Sequence, residues 1–76
     1  MKEFVEYIIK SLVEHPEDVS VSESTGEKSI VLEIRVKESD IGLVVGRQGN
    51  TIMSVRRLVN AVGRKQGKTV RVSIIE

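Results

Sequence analysis

The sequence predicts an α+β fold in which three helices pack on one face of a three-stranded sheet. Three observations predict it. Apolar residues recur at helical spacing near the start, two alternating runs follow as a hairpin, and two helical stretches joined by Gly-x-x-Gly lead to a last alternating run. Phe4, Val5, Ile8, Ile9, Leu12 and Val13 fall on one helical face, with Lys2, Glu3, Glu6, Lys10 and Glu14 on the other. That helix must stop near His15, because Pro16 disfavours helical geometry in the residue before it. Val19 and Val21 alternate with Ser20 and Ser22 as a short strand. Ser24-Thr25-Gly26-Glu27 then forms a turn, and Ser29 to Val36 form a second strand. Ile30, Leu32, Ile34 and Val36 share one face of it, Glu33 and Arg35 the other.

Ser39 is the expected N-cap of a short helix from Ile41 to Val45, with Asp40 favourable in its first turn. Asn50 is the expected cap of a longer helix whose core side carries Ile52, Val55, Val59 and Val62. Arg56, Arg57, Asn60 and Arg64 lie on or near its outer side. Gly63 or Gly67 ends that helix, unless Gly63 sits within its last turn. Thr69 to Ile75 alternate again, with Val70, Val72 and Ile74 inward. The residues do not fix the direction of this last strand, although a two-helix crossover leans to a parallel one.

Composition narrows the function. At 76 residues the chain is expected to be one domain, 1–76, too small for both a deep catalytic cleft and a large core. It has no Cys, which excludes disulfides and thiolate metal sites and fits a reducing cytoplasm. No apolar run is long enough to span a membrane, and the start does not resemble a signal peptide. One His and no paired acids in the basic half leave no acid-base or nucleophilic set, so no enzyme, cofactor or metal is expected.

The net charge of +1 hides a division. Residues 1–40 carry five basic and ten acidic side chains, residues 41–76 seven and one, and no Asp or Glu occurs from Ile41 to Ile75. In that half stands Val44-Val45-Gly46-Arg47-Gln48-Gly49-Asn50-Thr51-Ile52. Two glycines three apart let the backbone turn sharply and approach another molecule with no Cβ in the way. An acid-free basic surface around them points to a phosphate backbone as ligand.

The Val-Val-Gly-Arg-Gln-Gly-Asn-Thr-Ile segment resembles the signature of KH domains, hydrophobic-(Ile/Val)-Gly-x-x-Gly-x-x-(Ile/Leu). The order α-β-β-α-α-β is that of the bacterial, type II arrangement. A free-standing KH domain of this size resembles the small bacterial RNA-binding proteins of the KhpA type. The resemblance implies a cytoplasmic RNA chaperone or post-transcriptional regulator that grips about four nucleotides of single-stranded RNA between the glycine turn and a strand. It further implies a dimer, with itself or with a larger KH-containing protein of the KhpB type. On this sequence it brings the Gly46 and Gly49 backbone to the sugar-phosphate chain. Arg47 supplies a cation and Gln48 a hydrogen-bonding side chain, Ile41, Val45 and Ile52 an aliphatic floor, and Arg56 and Arg71 the rim. Met53, apolar yet off the core stripe, marks the expected pairing region. Two other readings remain open: a helix-turn-helix DNA-binding module, and a protein-interaction subunit whose basic face is incidental.

Overall fold

A computed structural model describes residues 1–75. It contains α1 (Lys2–Leu12), β1 (Ser20–Thr25), β2 (Ser29–Arg35), α2 (Ile41–Val45), α3 (Asn50–Lys65) and β3 (Thr69–Ile75). Short 3-10 turns at Pro16–Asp18, Glu38–Asp40 and Arg47–Gly49 link them. The sheet order is β1-β2-β3, with β1 antiparallel to β2 and β3 parallel to β2. The open question of the last strand is thereby answered. A parallel neighbour requires a crossover, and α2, the glycine turn and α3 together make it.

Register places Val21, Ile34 and Ile74 in one row across the sheet and Leu32 and Val72 in another. Their side chains meet Val5 and Ile9 of α1, Val44 of α2 and Ile52 and Val59 of α3 in one core. Ser20, Ser22, Glu33, Arg35, Arg71 and Ser73 occupy the open face. All three helices therefore share one side of the sheet, as expected.

Several details differ from the sequence reading. Ser39 does not cap α2: Asp40 holds the cap position, and its side chain makes no bond to its own helix. Asn50 does not cap α3 either, since it is the first helical residue and Gly49 precedes it in the left-handed region. Val62 is exposed, and Gly63 takes the buried place beside β3. A Cβ on Gly63 would lie 2.5 Å from Val70 Cγ2 and 2.9 Å from the Lys68 carbonyl, so only glycine lets the helix end come this close. The helix closes two residues later. Lys68 N–H donates to the Gly63 carbonyl at 2.9 Å and Gly67 N–H to that of Arg64 at 3.0 Å, with Gly67 left-handed. On α1 only Val5 and Ile9 are buried, while Phe4 and Leu12 stay exposed, because the apolar stripe is wider than the surface β1 offers it.

Asp40 is the one buried charged residue among those described, with no exposed surface. Its carboxylate accepts the Glu14 N–H at 3.3 Å, the His15 N–H at 3.0 Å and pairs with His15 Nδ1 at 3.1 Å. These donors follow α1, so the carboxylate ties the end of the first helix to the start of α2. Burial alone would raise the Asp40 carboxyl. The bond from Glu14, the His15 ring and N–H, and the charge of His15 together outweigh it and hold the pKa below its ordinary 3.8. A carboxyl lowered on folding adds stability above its unfolded value and loses it as pH falls through the folded one. Asp40→Ala is therefore expected to lower the urea midpoint at neutral pH. The gap between the two proteins should stay full down to about pH 3.8 and close below it. Denaturation curves across that range check this, and a gap that widens with acid would refute it.

Candidate nucleic-acid interface

The short α2 ends at Gly46, whose φ of 78° and ψ of 174° lie in a region essentially open to glycine alone. Gly46 N–H still donates to the Gly42 carbonyl at 2.9 Å, and Gly49 N–H to the Gly46 carbonyl at 3.1 Å. Between them Gln48 is left-handed, with φ 57° and ψ 25°, as is Gly49 at φ 77° and ψ 10°. Gln48 is the one non-glycine residue with positive φ among those described, a strain on the order of 1 kcal/mol at the tip of the turn. Arg47 and Gln48 are exposed, so both side chains leave the turn into solvent.

The two glycines are not equivalent. A Cβ on Gly46 would collide with the Thr51 side chain, because the first turn of α3 folds directly over it. A Cβ on Gly49 would meet nothing within 4 Å. Gly46 is thus required by packing and backbone together, Gly49 by backbone alone.

The remaining site residues divide by environment. Ile52 is 5% exposed and belongs to the core; Val45 is half-buried against it, and Ile41 is half-buried. Val44, which the sequence reading passed over, is the α2 side chain fully inside. On α3, Met53, Arg56, Arg57, Asn60 and Arg64 line an open groove of about 190 Å³. Asn50, the first residue of α3 after the glycine turn, falls on the same stripe by helical spacing. Arg56 is half-buried because its guanidinium lies on β3, donating to the Val72 carbonyl from Nε at 3.3 Å and Nη2 at 3.2 Å. Arg71 is exposed on the open face of the sheet, away from α3. The structure therefore gathers Val45 to Gly49 at one turn, sets Arg56 along the adjoining helix, and separates Arg71 from both.

Asn60, which the sequence places on or near the outer side of α3, has a role that sequence reasoning missed. Its Oδ1 accepts the Val70 N–H at 3.1 Å while Nδ2 donates to the Arg56 carbonyl at 2.9 Å. An Asn inside a helix competes with the backbone and is disfavoured there unless a partner holds it, and that was the available signal.

An αββααβ domain with a Gly-x-x-Gly turn between two helices of its crossover is a KH domain. The chain belongs to the KhpA/KhpB KH-domain family, whose model, described as "KhpA/KhpB, KH domain", matches residues 2–74. It is 51% identical over 75 residues to "RNA-binding protein KhpA" of Clostridium perfringens (strain 13 / Type A), covering 99% of this chain and all of that one. Proteins of the same name from Listeria monocytogenes serovar 1/2a and Aquifex aeolicus (strain VF5) are each 41% identical over 76 residues. Those matches cover all of this chain and 100% and 96% of theirs. No solved structure matches the chain.

Gly46→Ala is expected to cost about 3 kcal/mol or more, and Gly49→Ala about 1 kcal/mol, since only the first adds a collision to the cost of positive φ. Urea unfolding measures both. Equal losses would show that Thr51 does not discriminate between the two positions.

Proposed function

We propose that this protein binds single-stranded RNA, without catalysis, at the Gly-x-x-Gly turn and the adjoining face of α3. The turn itself carries the reading. It presents two glycines and two exposed polar side chains at the head of an acid-free basic stretch. The printed name of the relatives, RNA-binding protein, supports it. The Gly46 and Gly49 backbone approaches the sugar-phosphate chain, Arg47 supplies charge, and Gln48 supplies hydrogen bonds. Val45, with Ile52 behind it in the core, offers an aliphatic surface to bases, and Arg56 contributes from α3. The phosphate contacts position the strand, and the base contacts discriminate.

Both aromatic residues, Phe4 and Tyr7, lie on α1, so the grip does not rest on an aromatic stacking platform. A DNA-reading helix-turn-helix is less well supported, because α2 has five residues and the pair is framed by strands on both sides. In the cell the protein acts as an RNA chaperone or post-transcriptional regulator in the cytoplasm. No helix of the described residues is long and apolar enough to cross a membrane.

One short groove offers few contacts, so a micromolar Kd is expected, about −8 kcal/mol. Affinity should fall steeply as salt rises, because bound cations release counterions. Changing Arg47 and Gln48 together to Asp should abolish binding and leave the circular dichroism spectrum unchanged, because neither side chain is packed. Titration of a labelled RNA oligonucleotide at two salt concentrations, with both proteins, tests this. Binding indifferent to salt and to the two substitutions would sink the reading.

Pairing belongs to the same proposal, with a second copy or with a larger KH-containing protein of the KhpB type. Two linked grooves raise apparent affinity roughly 100-fold or more. Exposed Phe4 and Val62 flank a hollow of about 260 Å³ between α1 and α3, and this is a larger apolar surface than Met53 presents. Sedimentation of RNA-free protein at high micromolar concentration should show self-association, reduced by Val62→Asp. A monomer throughout would refute pairing with itself.

A further inference from the structure

β3 pairs with β2 on one side only, so alternate residues turn their N–H and C=O groups outward along a free edge. Two side chains of α3 reach over that edge. Asn60 accepts the Val70 N–H, and Arg56 delivers two donors to the Val72 carbonyl. Asn60 also holds the backbone carbonyl of Arg56, which fixes the pair relative to each other. Arg56 lies about 9 Å along the axis from the start of α3, on the wall of the open groove that runs along that helix. A strand gripped at the turn and laid along α3 brings its bases to this point.

What they meet there is unusual for a sheet edge. The Val72 carbonyl, which an incoming amino group would need as acceptor, is occupied. A guanidinium has five N–H donors and no acceptor. Two of the Arg56 donors are used on Val72, while Nη1 faces only the Met53 sulfur at 3.9 Å, a weak acceptor that a carbonyl oxygen readily replaces.

We propose that Arg56 is a specificity-determining residue that makes the groove select bases with carbonyl acceptors, uracil in particular, over adenine. Uracil O2 or O4 accepts from the free guanidinium N–H groups. Adenine accepts only through ring nitrogens, and both N1 and N7 stand beside the N6 amino group. That donor would be left unpaired against the remaining guanidinium N–H groups, at a cost. No aromatic side chain lines the groove, so stacking, which favours adenine, does not oppose the choice. The inference rests on the RNA-binding reading above and adds to it a base preference with one residue responsible.

Fluorescence anisotropy with labelled octauridylate and octaadenylate, at one salt concentration, tests the assignment. The proteins are the wild type, Arg56→Ala, Arg56→Lys and the Arg47→Asp/Gln48→Asp pair. The wild type should bind octauridylate about tenfold more tightly, the discrimination one good base contact supplies. Arg56→Ala frees the Val72 carbonyl and should bring the two RNAs within about twofold, by weakening one and strengthening the other. If that variant does not fold, Arg56→Lys keeps the charge without the fork and should narrow the preference to roughly threefold. Equal wild-type affinities would overturn the inference. So would a preference preserved while Arg56→Ala or Arg56→Lys weakens both RNAs alike, which would make Arg56 a phosphate contact. Either result leaves the RNA-binding reading standing. That reading falls instead if the wild type binds neither RNA, or if the double-Asp protein binds both unchanged.

Discussion

A helix of five residues cannot hold itself in water, yet α2 is the element that delivers the glycine turn. Two anchors hold it. Val44 inserts into the core, and at the other end the buried Asp40 carboxylate takes its donors from the chain just after α1. Asp40 occupies the position from which a carboxylate usually caps its own helix, and it makes no such bond. Its acceptors go to another element 25 residues away, so the end of α1 and the start of α2 behave as one unit. The first helix thus matters to the site through this link.

The parallel pairing of β2 and β3 imposes the second constraint. The chain leaving β2 must return to the same end of the sheet before β3 begins, and α2, the turn and α3 are that return. The site is therefore the reversal in a crossover. Its geometry depends on how α3 seats against β3. Near the end of the helix Gly63 permits close approach to Val70, and in the turns before it Arg56 and Asn60 bond to the edge. The same two side chains occupy edge groups that would otherwise recruit another strand, and they place a guanidinium on the groove wall.

What was legible in the sequence follows from the range of the forces involved. β3 was read to its residue limits, because period-two alternation after a glycine turn is a local signal that the packing obeys. The same held for α2 and, nearly, for β2. The caps were misread. Ser39, Asp40 and Asn50 all have capping chemistry, but His15 decided what Asp40 does, and the left-handed Gly49 set the start of α3. Val62 was misplaced because helical spacing admits either 62 or 63 on the inner side, and only the proximity of Val70 chooses between them. At the site, the turn was visible as a motif. The bond from Arg56 to Val72 was not, because it joins residues 16 apart through a side chain that the sequence places only on the outer side of α3, at the groove rim.

The charge division acquires a meaning once the fold is known. On α1, Glu3 and Glu6 stand beside Lys2 and Lys10, with Glu6 paired to Lys10 at 3.3 Å, while α3 carries Arg56, Arg57, Arg64 and Lys65 and no acid. A net charge of +1 would give weak attraction if it were spread evenly. It is not, and the molecule spans 35 × 23 × 19 Å, while charges in physiological salt are screened beyond about 8 Å. Acids farther than that from α3 therefore do little to cancel the field beside it. An anionic ligand would be drawn toward α3 rather than α1, where two Lys and two Glu balance. A uniformly basic protein of the same size would attract more strongly and orient less.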